Sequence, residues 1–215
     1  MNLVQVKQAL VGIKTTSFGI SIPELRKLAQ KVARNDYQLF VKEDDYSSFE
    51  LKLLHAFVLG YAKDDIKTLL KYFKAFIPQV NDWAVNDSLC QNFRIARQYP
   101  QEMWRFLEPY MKSKKEFHSR IVAVVLLSHF LNDEYIDRVI GVLDSLNTDK
   151  YYAQMGVAWA VATVMGKYPE KCLAYLNSNQ CHLDAITYNK SLQKIRESFR
   201  VSKKIKEQTK QMKRL

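Results

Sequence analysis

A chain of 215 residues is long enough for one large domain or two small ones, and its 47% hydrophobic content suffices for a packed core. With 6 glycines, 5 prolines and no GxGxxG, GxxxxGKS or GxxxxGKT motif, nucleotide-dependent chemistry is not expected. The net charge of +11 implies an anionic partner, nucleic acid before an acidic membrane surface or an acidic protein. The alternative is a soluble protein that is merely basic.

Apolar residues at helical spacing recur along the whole chain, and no strand-like alternation competes with them. Short helices are predicted in LVQVKQALVGI and in SIPELRKLAQKVAR, where Ser21 and Glu24 have capping-box spacing. Five long helices follow, with predicted starts near residues 47, 82, 115, 150 and 184; the second is predicted to run to Tyr99 and the fifth to Arg200. Ser47 and Glu50 form a second possible capping box.

Each of the first four long helices is followed by a predicted second helix, opened by Asp64, Pro100, Asp133 and Pro169. Successive long helices start 35, 33, 35 and 34 residues apart, a period typical of an α-solenoid. The purely apolar pattern favours HEAT-like repeats over tetratricopeptide or ankyrin repeats. The sequence therefore predicts an all-α superhelix, one domain over residues 1–215 with five to six helix pairs and a basic C-terminal helix or tail at 201–215.

Cysteine and histidine spacing, and the distribution of apolar residues, bear on cofactors and location. Cys90, Cys172 and Cys181 show no metal-binding spacing, and neither do the four histidines, so no metal and no other cofactor is expected. The N-terminal residues lack a signal-peptide pattern, and the apolar run 121–127 is too short to span a bilayer. We expect a reduced, cytoplasmic protein with no membrane contact.

Four conspicuous side chains occupy related positions of the long helices. Counted from the predicted starts, Trp83 lies at offset 1, Asp87 and Arg120 at offset 5, and Trp159 at offset 9. These offsets differ by about one turn, so parallel stacked repeats would bring the four side chains to a single surface. Asp87 and Arg120 interrupt apolar helices, and each needs a partner or water. Core packing of the tryptophans and a structural ion pair are the alternatives.

Five segments occur in a characteristic order along most of the chain: FGISIPELRKLA, NDWAVND, FHSRIVAVVLL, AQMGVAWAV and a basic helical end. In these segments and their order the chain resembles the AlkD-like DNA glycosylases, the HEAT-like-repeat proteins of DNA alkylation repair. The resemblance implies an enzyme that hydrolyses the N-glycosyl bond of purines made cationic by N3 or N7 alkylation. It makes Asp87 the catalytic aspartate, with Trp83 and Trp159 as aromatic residues of a DNA-facing cleft and Arg120 beside them. The implied partner is alkylated or distorted duplex DNA, bound by a monomer.

Basic residues extend the predicted contacts with DNA. Phosphate contacts are expected from Arg120, from three residues at long-helix positions and from two in the terminal segment VSKKIKEQTKQMKRL: Lys52, Arg94, Lys190, Lys203 and Lys204. Plain surface charge and a frayed, solvated terminus are the alternatives for these residues.

Two departures from the family pattern leave other functions open. Only one short helix precedes FGISIP, where similar active members carry a longer N-terminal helical region. In WAVAT, Ala162 and Thr163 stand where the family often has arginine and an acid, as in W-x-L-R-E. The alternatives are a non-catalytic DNA-binding relative that recognises distorted or branched DNA, and a protein-interaction scaffold.

Overall fold

A computed structural model describes residues 2–13, 19–43 and 45–214. Phe18, which begins the FGISIP motif, lies outside the described residues. The described chain contains helices and no strand, which confirms the predicted all-α helical repeat fold. Its α-helices are α1 (Leu3–Val11), α2 (Ile22–Arg34), α3 (Tyr37–Lys42), α4 (Phe49–Tyr61), α5 (Ile66–Phe76), α6 (Trp83–Asn92), α7 (Pro100–Met111), α8 (Glu116–His129), α9 (Ile136–Ser145), α10 (Tyr151–Lys167), α11 (Pro169–Leu176), α12 (Ala185–Glu197) and α13 (Lys203–Lys210). None of the described helices has the length and apolar composition needed to cross a membrane.

The five long helices α4, α6, α8, α10 and α12 begin one or two residues after their predicted starts. The capping box predicted at Ser47 was wrong by one residue, because the hydroxyl of Ser48 accepts the Leu51 N–H at 3.2 Å. Ser21 does occupy the N-cap of α2, but its hydroxyl donates to Glu24 Oε2 at 2.9 Å and does not cap the helix backbone. The local sequence pattern therefore predicts where the long helices start to within two residues, but it does not always identify the capping residue or its hydrogen bond.

The second helices also follow the prediction, with two shifts. α7 and α11 begin at the expected prolines. The cap of α5 is Asp65, whose carboxylate accepts the Thr68 N–H at 3.0 Å; the predicted Asp64 accepts a bond from the Tyr37 hydroxyl at 2.8 Å. α9 begins only at Ile136. The short helix α3 was not predicted.

Two long helices end earlier than their apolar patterns predicted. α6 ends at Asn92, since Phe93 leaves the helical region with φ −76° and ψ 60°, and a 3₁₀ helix, Arg94–Arg97, follows. α12 ends at Glu197, since Ser198 is extended with φ −70° and ψ 128°. Arg94 therefore does not occupy the long-helix position assigned to it, and the residues after Glu197 form a turn.

The described chain divides into two compact units, Met1–Met103 and Trp104–Leu215. In the first unit α2, α4 and α6 pack side by side, with α3 against α2 and α5 against α4. In the second unit α8, α10 and α12 pack side by side, with α9 and α11 against α10 and α13 against α12. Each unit is therefore a row of long helices with shorter helices packed on it. That the whole chain forms one domain stays a prediction.

Hydrogen bonds between helix starts show the relative direction of the long helices in the second unit. Glu116 Oε1, in the first turn of α8, accepts the backbone N–H of Tyr152 in the first turn of α10 at 2.7 Å. Thr148, just before α10, donates to Asp184 Oδ2 at the N-cap of α12 at 2.7 Å. Neighbouring helices that pack together and whose starts meet run in the same direction. Equivalent positions of successive repeats are thereby brought to the same level within the unit.

Candidate functional site

Trp83 and Asp87 lie at the start of α6, in the first unit. Trp83 is the first residue of the helix and Asp87 the fifth, one turn later, so both side chains project from one side. Trp83 is 51% exposed, whereas Asp87 is 8% exposed. The start of α6 thus presents an open indole ring close to a carboxylate that is mostly covered by protein.

The Asp87 carboxylate is held by its sequence neighbour. Asn86 Nδ2 donates to Asp87 Oδ1 at 3.0 Å, and the Asn86 side chain is fully buried. A hydrogen bond from a buried amide to a carboxylate is charge-assisted and limits its rotation. The Asp87 carboxylate is therefore held in place by a hydrogen bond. This partner meets the expectation that an aspartate within an apolar helix needs a partner or water. The sequence prediction did not single out Asn86.

Lys52 lies at the same end of the first unit's long helices as Trp83. It is the fourth residue of α4, and its Nζ donates to Asn81 Oδ1 at 3.1 Å, two residues before Trp83. This contact brings one predicted phosphate-binding cation to the start of α6. Arg94 is exposed but follows the other end of α6, so the structure does not bring it to Trp83.

Arg120, in the second unit, is the fifth residue of α8 and 6% exposed. Its Nη1 donates to the backbone carbonyl of Tyr152 at 3.0 Å, on the neighbouring helix α10. The same stretch of α10 passes close to the arginine stem, since a Cβ atom on Gly156 would lie 3.1 Å from Arg120 Cγ. The sequence prediction missed Gly156, although a glycine inside a helix of this glycine-poor chain was an available signal of close packing.

Trp159 is half-buried on α10, in the second unit. Its backbone carbonyl accepts a hydrogen bond from the Thr163 hydroxyl at 2.8 Å. Thr163, one of the two residues that depart from the family pattern, therefore bonds within its own helix. Ala162 beside it is buried. Trp83 and Asp87 lie in the first unit, whereas Trp159 and Arg120 lie in the second. The alignment of all four side chains on a single surface therefore stays a prediction.

The remaining basic residues lie on α12 and α13. Lys190 is half-buried and its Nζ bonds Gln193 Oε1 at 3.1 Å, while Lys203 and Lys204 are exposed in the first turn of α13. Beyond α13, Arg214 Nη1 donates to the Leu183 carbonyl at 2.7 Å and packs over the Tyr188 ring. The basic C-terminal segment is thus a helix followed by residues that fold back onto α12.

Other features of the described chain lie apart from these residues. A pocket of about 590 Å³ opens near the ends of α2 and α4, and its lining includes Arg34, Tyr61 and Lys63 but no predicted site residue. Among the described residues, no group of His, Cys, Asp and Glu side chains is arranged to hold a metal ion.

Comparison with known proteins places the chain in a family. A family model described as DNA alkylation repair enzyme matches residues 7–195, a stretch that includes Trp83, Asp87, Arg120 and Trp159 and ends before α13. Neither the comparison with curated proteins nor the comparison with solved structures gives a match. Because the match covers most of the chain and agrees with the predicted resemblance, the protein belongs to the DNA alkylation repair enzyme family and its role lies in DNA alkylation repair.

Proposed function

We propose that the protein hydrolyses the N-glycosyl bond of purines that carry a cationic N3 or N7 alkyl group in duplex DNA. The observation that supports this most directly is the Asp87 carboxylate, held by Asn86 one helical turn from the exposed indole of Trp83. An acid and an open aromatic ring in a DNA alkylation repair protein are the groups that this reaction needs.

The chemistry of the lesion explains why one carboxylate is enough. An alkylated purine is already positively charged, so it leaves with the electron pair of the C1′–N bond and becomes neutral without protonation. The deoxyribose left behind develops oxocarbenium character, which a nearby negative charge stabilises electrostatically. Asp87 would provide this charge and orient the water whose oxygen bonds to C1′, the released proton passing to the carboxylate or to solvent. The products are an abasic site and a free alkylpurine.

The aromatic and basic residues have supporting roles in this proposal. An indole face attracts a cationic base or the developing positive sugar by cation–π contact, worth about 1–2 kcal/mol when the contact is desolvated. Trp83 and Trp159 are the rings assigned to this task. Arg120, held against the Tyr152 carbonyl, supplies a fixed guanidinium suited to a backbone phosphate.

Non-specific affinity for the duplex would come from the lysines and arginine outside the reacting centre: Lys52, Arg94, Lys190, Lys203 and Lys204. Each phosphate that such a residue neutralises releases counterions, so the logarithm of the binding constant falls by about 0.9 per contact for each tenfold rise in salt. Replacement of Lys52, Arg94 and Lys190 by glutamine should therefore weaken duplex binding and flatten its salt dependence.

The test is release of 7-methylguanine or 3-methyladenine from methylated duplex DNA by the purified protein. Asp87→Asn should lower the release rate by on the order of 100-fold or more, because it removes the charge that the transition state needs. The affinity for undamaged duplex should stay close to that of the wild type. Asp137→Asn is the matched control, since this carboxylate is exposed and pairs with Lys171 at 2.6 Å; base release should not change.

Other outcomes would favour the alternative functions. Salt-sensitive binding of distorted or branched DNA without any base release would support a non-catalytic DNA-binding protein, in line with the Ala162 and Thr163 departure. A protein-interaction scaffold would show neither base release nor a steep salt dependence of DNA binding. Base release by Asp87→Asn at the wild-type rate would contradict the role assigned to this carboxylate.

A further inference from the structure

Phe199 is fully exposed, at 102% of its reference area, in the turn between α12 and α13. Among the described residues, the next most exposed large apolar side chain is that of Val11, at 87%. A phenylalanine ring gains substantially from burial, and here the described chain gives it none. The ring is therefore available to a binding partner over its whole surface.

The turn that carries Phe199 is firmly attached to the second unit. The Ser198 hydroxyl accepts the Arg200 N–H at 3.2 Å, directly across the phenylalanine. Arg200 packs against α10, since a Cβ atom on Gly166 would lie 3.2 Å from Arg200 Cβ, and Val201 is buried. Both residues that follow the ring are anchored while the ring itself points away from the protein. Its exposure is a result of how the turn is built, not of a loose chain end.

Three basic residues follow the ring closely in the sequence, and one exposed acid, Glu197, precedes it by two residues. Arg200, Lys203 and Lys204 are exposed and lie within five residues of Phe199 along the chain. In the described part of the chain no acidic side chain forms an ion pair with any of the three, whereas Glu207 in the same helix is already paired with Lys210 at 2.8 Å. Three cations that have no ion-pair partner among the described residues thus lie close in sequence to one exposed aromatic ring.

We propose that the Phe199 turn binds single-stranded DNA, with the Phe199 ring stacked on an unpaired base and with Arg200, Lys203 and Lys204 contacting phosphates. An aromatic platform beside cations that follow the backbone is the combination that holds single strands. Bases of an intact duplex are stacked on both faces, so the ring requires a strand whose bases are unstacked. A membrane surface would need a wider apolar face, and α13 has no large apolar residue among the most exposed.

This inference goes beyond the family match, which ends at residue 195, and beyond base release by Asp87. It assigns to the second unit a contact for unpaired DNA, such as a strand end or a gap, that shares Lys203 and Lys204 with the proposed duplex binding. The ring, and not only the charge, would determine the preference for single strands. Removal of the ring and removal of the charges should therefore have different effects on binding.

The experiment uses a single-stranded oligodeoxynucleotide with one 2-aminopurine, and the same strand annealed to its complement. The wild type should quench the 2-aminopurine fluorescence of the single strand more than that of the duplex. Phe199→Ala should weaken single-strand binding roughly five- to a hundredfold and abolish the quenching. Its salt dependence should stay that of the wild type, because no charge is lost. Lys203→Gln combined with Lys204→Gln should instead lower the salt slope by about 1.4.

Two further variants separate stacking from general apolar contact. Phe199→Leu keeps an apolar side chain without a ring and should resemble Phe199→Ala. Ile186→Ala removes another exposed apolar side chain, 58% exposed on α12, and should bind as the wild type does. If Phe199→Ala bound the single strand and quenched its fluorescence as the wild type does, the inference would be overturned. Wild-type single-strand binding by Phe199→Leu would overturn it as well. Either result would direct attention to a protein partner.

Base release by the same variants distinguishes the two proposals. Phe199→Ala should release alkylated bases from duplex DNA at the wild-type rate with enzyme in excess, because the ring is not part of the reacting centre. If the wild type releases no base while Phe199→Ala still loses single-strand binding, the glycosylase proposal fails and the single-strand contact stands.

Discussion

The side chain of Arg120 crosses α10 at Gly156, where a Cβ atom would lie 3.1 Å from Arg120 Cγ and 3.4 Å from Arg120 Cα. The absence of a side chain at residue 156 lets α8 and α10 approach closely enough for Arg120 Nη1 to reach the Tyr152 carbonyl at 3.0 Å. The direction of a mostly buried guanidinium is thus set by a glycine on the neighbouring helix. In the proposed function this guanidinium contacts DNA.

Gly156→Val should displace Arg120 and reduce both duplex affinity and base release. We expect a loss of about 1–3 kcal/mol in the free energy of unfolding, because the added methyl groups overpack the contact between α8 and α10. Gly141→Val is the matched control, since a Cβ atom at residue 141 on α9 meets nothing within 4 Å. Binding titrations and denaturant unfolding measure the two effects. Wild-type DNA binding by a folded Gly156→Val protein would contradict the positioning of Arg120 by this glycine.

Gly60 marks the closest approach between α4 and α6 in the first unit. A Cβ atom at residue 60 would lie 2.4 Å from Asn92 Cβ and 3.0 Å from the Asn92 carbonyl carbon. Asn92 cannot easily move away, because its Oδ1 accepts a bond from Arg26 Nη1 at 2.9 Å and its amide donates to the Ser88 carbonyl. The contact therefore leaves no room for any other residue at position 60.

Gly60→Ala should cost about 2–3 kcal/mol of unfolding free energy, because two helix backbones must separate. The same replacement at Gly141, which is exposed with open space around it, should stabilise the protein by about 0.5–1 kcal/mol through helix propensity. Urea denaturation of the two variants measures both changes. Equal effects at the two positions would show that the Gly60 contact is not tight.

Replacement by alanine should affect mainly the rate of base release at Trp83 and mainly stability at Trp104. Trp83 is half-exposed, so Trp83→Ala should change stability little while slowing base release by about 5- to 30-fold, the equivalent of one cation–π contact. Trp104 is buried and packs against Phe130 with ring centroids 5.5 Å apart and under the Arg138 guanidinium at 4.0 Å. Its replacement by alanine should cost about 3–5 kcal/mol of stability.

Thermal unfolding and single-turnover base release separate the two tryptophan effects. Trp83→Phe should recover part of the lost rate, since a smaller ring keeps a weaker cation–π face. A wild-type rate for Trp83→Ala would leave Trp83 without a role in the reaction.

His118 should make the second unit less stable in mild acid. Burial and the charge of Lys115 lower the pKa of His118 below its ordinary value of 6.5, and its Nδ1 lies 2.8 Å from Ser113 Oγ. The unfolded chain then binds a proton more readily than the folded chain, so stability falls as the pH drops through about 6.5. Thermal unfolding between pH 7.5 and 5.5 should show a smaller loss for His118→Gln than for the wild type. An unchanged pH dependence would contradict this account.

Within single helices, much of the architecture and part of the site were predictable. The starts of α6 and α12 were predicted to within one residue, although the cap of α6 is Asp82 and not Asn81 as the sequence suggested. The Trp83–Asp87 pairing follows from four-residue spacing on α6. The ends of these helices were not predictable, because Phe93 and Ser198 leave the helical conformation without a glycine or proline to mark the change. That error hid Phe199 inside a predicted helix, although the structure exposes it in a turn.

By itself, the sequence determined the repeated helices, their starts, the basic charge and the candidate acid Asp87, because these depend on periodicity and spacing over one or two turns. Only the tertiary structure decided that Asn86 holds Asp87, that Gly156 guides Arg120 to the Tyr152 carbonyl, and that no described residue covers the Phe199 ring. Such contacts depend on how closely particular helices approach and on how a turn docks. Those distances result from packing of the whole unit, which no local pattern encodes.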